Sequence, residues 1–348
     1  MLPVVSDSLF PLIKNHPKKS HFKTGSSSYS SFCIGDMVER QSTKILSDKK
    51  MKNIKNKNPK IPYLLLLPTF LIVSLFTVWP TIVSLVKSLY RQRLNIAKFR
   101  EPTFIGLGNY IQLFKDSEFI QVLINTFIYV VGTVPISIAL AFIFAILLDR
   151  KIKGIGMFRL GIFYPTIIPM VSAATIWMFF LTPDYGLFNT ALSFIGYRGP
   201  QNWTGNPDLA LIAIMIVAIW KNAGYYMIFY LAGLQNIPRQ VYEAAKIDGA
   251  GWLRTMLSIT FPLLRKSTLF ITTIAFIGAF QTVDHIFVLT QGGPSGSSTV
   301  LLYYLWQQRF ENLDIGKSSA LTIILILILL IFTITNFKLT EKRGEDEI

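Results

Sequence analysis

Six stretches of this chain are long and apolar enough to cross a lipid bilayer, which constrains the fold more than any other feature. A helix needs ~20 residues to pass the hydrocarbon core. Ile61 to Val86, Phe119 to Leu148, Leu160 to Pro183 and Ser318 to Phe337 carry no charge at all. Leu209 to Ile237 is interrupted only by Lys221, and Ser267 to Thr290 only by Asp284 and His285. Backbone amides in lipid must pair within their own segment, so these stretches are helices rather than open strands. The sequence predicts an all-α membrane protein with six transmembrane helices.

The net charge of +15 raises the question of nucleic acid, but its distribution excludes it. Basic residues gather at the flanks of the apolar stretches, where they set orientation. With the N-terminus inside, segments 40–60, 149–159, 235–266 and 338–343 hold 20 Lys or Arg, against nine in 87–118, 182–207 and 291–317. Both termini and the loop between the fourth and fifth spans are therefore expected in the cytoplasm. The first outer loop, with Arg91, Arg93, Lys98 and Arg100, runs against this trend.

Residues 1–58 form a basic tail rich in Ser, Lys and His, without helical periodicity, and are expected to be disordered. They are either a cytoplasmic tail or the product of an upstream start. Met51 opens MKNIKNKNPKIPYLLLLP, a natural lead into a first span. Residues 59–340 make the transmembrane domain and 341–348 a cytoplasmic C-terminal tail. Cys33 is the only cysteine, which excludes an internal disulfide. Two of three histidines lie in the tail, so no metal site is expected. No phosphate-binding loop and no catalytic constellation is present, so the chain is expected to be no enzyme and to carry no cofactor.

Polar groups inside spans mark candidate sites, because a charge there is expensive. Lys221 sits in the middle or outer half of the fourth span, with Asn222 and Tyr225 beside it or one turn away. It is either a pathway residue or a structural cation, snorkelled or ion-paired, with Asp284 as one candidate partner. Gln281 and Asp284 in the fifth span are three apart and expected on one helix face. An amide and a carboxylate suit sugar hydroxyls, which both donate and accept hydrogen bonds. His285 points elsewhere and is given a structural role. Pro165 and Pro169 are expected to bend the third span.

The loop at 243–262 reads EAAKIDGAGWLRTMLSITFP. Glu243, Ala244 and Ala245 are followed by three residues, then Gly249, then nine residues, then Ile259 and Pro262. The run before Gly249 is good helix, with Pro238 in its first turn, Asn236 as cap, and Gly249 permitting a turn. This pattern resembles the EAA loop of permease subunits in ABC-type importers, with Phe261 in place of the usual leucine. Asp248, Gly249 and Ala250 match the sugar-importing branch. Gly106, Leu107, Asn109 and Tyr110 also resemble a segment of sugar permeases, read here as a turn and a short interfacial helix. The run from Gln281 through Gly292, Gly293 and Pro294 resembles another.

The resemblance implies a permease of a bacterial carbohydrate importer of the maltose or glycerol-3-phosphate type, in the cytoplasmic membrane. It implies a second permease subunit, two ATPase subunits that bind ATP and Mg, and an external solute-binding protein. Glu243, Ala244, Ala245, Asp248, Gly249, Ile259 and Pro262 would couple to the ATPase. Lys221, Asn222, Tyr225, Gln281 and Asp284 would line the sugar pathway. An ion-coupled carrier working alone is the reading from a different class. It would call for acidic or histidine relays inside spans, and only Asp284 and His285 qualify.

Overall fold

The computed structural model describes residues 61–149, 153–197 and 201–345. The basic tail and Cys33 lie outside them. The chain divides into two units at Val73 and Ser74. In the first, the described residues form helix α1, Ile61–Val73. The second opens with a π-helical turn and α2, Trp79–Ser88.

Four helical stretches are long and apolar enough to cross a membrane: Tyr63–Ser88, Ser117–Leu148, Pro207–Gln235 and Ile315–Lys338. Two more qualify only as bent pairs. The third expected span divides into α5, Ile155–Ile167, and α6, Met170–Phe180, which meet at 103°. Pro169 explains the break: it brings no N–H, and it pushes Ile168 into an extended conformation with ψ 133. The fifth expected span is also not one helix. The pair Trp252–Leu263 and Arg265–Phe280 bends by 69°. After α12, Arg265–Phe280, the chain breaks at 281–283 and restarts as α13, Asp284–Leu289.

The core is built on α4, Ser117–Leu148, and α8, Pro207–Gln235. Two long membrane helices have no hydrophobic drive to associate inside lipid, so close backbone approach must supply the attraction. Small residues allow it: Ala141 and Ala145 on α4 and Ala210, Ala213, Ala218, Ala223 and Gly224 on α8 are buried. Large apolar side chains such as Phe127 and Ile212 point outward. Gly224 is a special case. A Cβ there would press into the carbonyl of Ile162, so α5 can lie on α8 only over a glycine.

The segment after α2 adds a small ladder, β1 Tyr90–Arg91 with β2 Thr103–Phe104, to a fold that the sequence predicts as helices alone. The short helix expected after Gly106 is present as α3, Gly108–Lys115. Its Asn109 is buried and donates to the carbonyls of Ser88 and Tyr90 at 2.7 and 2.9 Å, closing the open end of α2. Tyr110 donates to Ser88 Oγ at 2.8 Å. Ion pairs Arg93–Asp314 and Lys317–Asp116, the latter at 2.9 Å, tie this segment and the start of α4 to the last helix, α14, Ile315–Glu345. The basic charge of the loop after α2 is thus partly consumed by ion pairing. α7, Leu187–Phe194, lies in the loop between α6 and α8.

Gly224→Ala should open the α5–α8 contact by forcing a backbone shift, at a cost of ~1–3 kcal/mol. A lowered unfolding temperature of the detergent-purified variant checks this. A temperature equal to that of wild type would show that the two backbones do not meet there.

Candidate functional site

The C-terminal end of α8 leads into the motif from Glu243 to Pro262. α8 ends at Gln235, and Asn236 caps that end rather than opening the next helix. Pro238, with ψ 135, is the N-cap of α9, Arg239–Ile247, where the sequence suggests its first turn. A proline with extended ψ still suits this place, because its missing N–H costs nothing there. α9 closes in a Schellman motif. Ala250 N–H donates to Ala245 O at 2.9 Å and Gly249 N–H to Lys246 O at 3.2 Å. Gly249 has φ 72, the left-handed region expected of it. Nothing in the chain lies within 4 Å of a Cβ placed there, so the glycine serves conformation and not tight packing.

Glu243, Ala244, Asp248 and Gly249 are exposed, and Ile247 is 86% exposed. Ala245 differs: it is buried against its own chain, so only one alanine of the motif offers a free surface. Beyond Gly249 the chain forms α10, Trp252–Thr255, a π-helical turn from Met256 to Thr260 that holds the half-buried Ile259, and α11, Phe261–Leu263, that holds the exposed Pro262. The base of this knob is clamped. Tyr230 donates to Thr268 Oγ1 at 3.1 Å, and the rings of Phe142 and Phe261 meet edge to face at 5.6 Å. Gly233 lets Leu264 close in, since an added Cβ would sit 2.7 Å from its Cδ2.

The polar residues within the spans group around α8. Lys221 is half-buried, and its Nζ donates to the carbonyls of Pro165 at 3.0 Å, Thr166 at 3.3 Å and Ile168. Those oxygens are stranded where α5 stops. Lys221 forms no ion pair with Asp284 among the described residues. Its ammonium thus spans the break in the third expected span. Asn222 and Tyr225 are half-buried on the same helix, and Tyr225 packs edge to face on Phe229 at 5.1 Å.

Gln281 and Asp284 do not share a helix face. Gln281 caps the end of α12 and Asp284 begins α13, with Thr282 and Val283 between them out of helix. Both are exposed. α13 packs against α6 and α8, so the two broken spans meet at the central helix. His285 is buried, with Nε2 3.2 Å from the hydroxyl of Tyr129. This agrees with the structural role given to it. Among the described residues no cluster of His, Cys, Asp and Glu is suited to a metal.

Residues 104–340 match the family model described as binding-protein-dependent transport system inner membrane component. The chain belongs to this family. Members of it are transport components of the inner membrane, consistent with the four to six apolar spans. The chain is 34% identical over 293 residues to the trehalose/maltose transport system permease protein MalF of Thermococcus litoralis, covering 84% of this chain and 97% of that one. It is 31% identical over 285 residues to the sn-glycerol-3-phosphate transport system permease protein UgpA of Yersinia pseudotuberculosis, covering 81% and 95%. Its fold matches a chain from the crystal structure of a bacterial ABC transporter involved in the import of the acidic polysaccharide alginate. That match has a TM-score of 0.70 and 22% identity, and it covers 84% of this chain and 99% of the other.

Sequence reasoning missed the helix-closing role of Asn109. It also missed Asn125, whose Nδ2 donates to the carbonyls of Gly296 and Thr299 and fixes the loop after α13. An asparagine inside an apolar helix is the only signal, and it does not name the partner. Lys221→Met should leave three carbonyls without a donor and cost ~1–3 kcal/mol for each one that water cannot reach. Thermal unfolding in detergent should show the loss, while the ranking of transported solutes stays as in wild type. A changed ranking with unchanged stability would return Lys221 to the pathway.

Proposed function

We propose that the chain is the membrane-spanning permease of an ATP-driven importer that carries a sugar or oligosaccharide delivered by an external solute-binding protein. Its spans number six when each bent pair is taken as one crossing, with both termini inside a bacterial cell membrane. The observation that carries the reading is the knob at α9. It is an exposed helix closed by a left-handed glycine and clamped at its base to α4, α8 and α12. A free helix with exposed Glu243, Ala244, Ile247 and Asp248 suits a cleft on a soluble partner. The family to which the chain belongs supports that partner being part of a transport system.

The mechanism is rigid-body transmission. Two ATPase subunits bind ATP and Mg and close; α9 moves with one of them, and a second permease subunit completes the pathway. The clamped base passes that displacement into α8 and α12, and the breaks at 168–169 and 281–283 take up the bending. Asn222, Tyr225, Gln281 and Asp284 line the pathway, where amide, phenol and carboxylate match sugar hydroxyls. This chain supplies no catalytic group and no cofactor of its own.

A glycerol-3-phosphate substrate is the second reading, favoured by the relative that carries that name. The occupied ammonium of Lys221 weighs against it, because the cation that would meet a phosphate is spent on backbone carbonyls. The ion-coupled carrier is weaker still, since its one buried histidine faces a tyrosine rather than a carboxylate.

Gly249→Asp tests the coupling. A non-glycine residue in the left-handed region costs ~1–2 kcal/mol, and the new carboxylate repels Asp248. Uptake in reconstituted vesicles should be abolished although the permease still reaches the membrane. Co-purification of the ATPase, or its stimulation by loaded binding protein, should be lost as well. Glu243→Ala should be milder, because α9 keeps its shape. Full stimulated ATPase activity and uptake in Gly249→Asp would remove α9 from the coupling path.

A further inference from the structure

Beside the first turn of α9 lies a cavity of about 490 Å³, lined in part by Asp149, Arg159, Gln235, Arg239 and Tyr242. A second cavity of about 240 Å³ shares Asp149, Leu234 and Tyr242 with it. Its other walls are apolar, from Ile146, Trp252 and Met256. The two adjoin along the shared residues, with both arginines on the first side, the charged half, and the larger apolar wall on the second. It stands where α4 ends at Leu148 and α8 ends at Gln235, the depth at which lipid headgroups meet acyl chains.

The charged half favours an anion. Arg159 is held in place by two hydrogen bonds to the Leu148 carbonyl, at 3.2 Å from Nε and 2.8 Å from Nη2. Arg239 is exposed and has no carboxylate partner among the described residues. The one acid in the lining is Asp149. Partial burial raises its carboxyl above the ordinary value, against the pull of the neighbouring Arg159.

We propose that this space binds an anionic phospholipid, with its phosphate between Arg159 and Arg239 and an acyl chain along Ile146, Trp252 and Met256. A free anion would account for the two arginines but would leave the apolar half empty. A basic pocket between membrane helices at the inner face suits acidic headgroups, and a tryptophan at the rim suits the interface. The consequence concerns coupling. The lipid touches the first turn of α9 and the returning leg at Trp252 and Met256, so it sets how firmly the knob is seated. The proposal rests on the inner placement of α9 given under the proposed function.

The test uses the whole transporter, permeases and ATPases together, in nanodiscs of phosphatidylcholine with and without phosphatidylglycerol. Native mass spectrometry counts the retained lipid. Wild type should retain phosphatidylglycerol in preference to phosphatidylcholine, and Arg239→Gln should retain several-fold less. Arg239 lies at an exposed helix start, so its loss leaves the fold intact. Inorganic phosphate should not displace the lipid. Equal retention by wild type and Arg239→Gln would overturn the proposal, as would displacement by phosphate, which marks a soluble-anion site. Loss of the ATPase from Arg239→Gln in both lipid mixtures would assign the arginine to the protein interface and overturn it too. Failure of wild type to hold any ATPase would instead sink the proposed function.

Discussion

Everything in this molecule depends on how broken helices satisfy their backbone in a medium without water. An interrupted span strands carbonyl oxygens at the break, each costing several kcal/mol in hydrocarbon unless it finds a donor. Lys221 reaches across from α8 to the carbonyls of Pro165, Thr166 and Ile168 and supplies that donor. The break is thereby supported, and α6 leaves α5 at 103°. A lysine that would be costly alone becomes the support of the bend.

α8 is the element on which these choices converge. One face gives Ala210, Ala213, Ala218 and Ala223 to the core and Gly224 to α5, while Lys221 closes the third span. Its C-terminal end leads into α9 through Asn236 and Pro238. The contacts at Tyr230–Thr268 and Phe142–Phe261 tie the segment around α9 to the membrane helices.

The features legible in the residue order are those set by local rules. Gly249 was placed in a left-handed turn because helix-forming residues ran up to it, and its φ of 72 agrees. Pro165 and Pro169 were expected to bend the third span, and the bend falls at Pro169. Other residues were read with the right chemistry and the wrong partner. Lys221 was open between pathway and ion pair, but its donors found carbonyls 53 to 56 residues away. Gln281 and Asp284 matched helical spacing, yet spacing is silent about a break between them. The two alanines of the motif look equivalent in sequence, and burial separates them.

Apolar length, basic flanks and the motif spacing from Glu243 to Pro262 were enough to establish a helical membrane protein with an exposed loop of defined shape. These follow from the bilayer's dimensions and from backbone conformation, which act on residues close in sequence. Which stranded carbonyl meets which side chain was decided only when distant segments came together. Asn109 closes α2, Asn125 fixes the loop after α13, Arg159 holds the end of α4, and Lys221 supports the third span. A polar side chain in lipid must pair with something, but only the packing of the helices determines what stands within 3 Å of it.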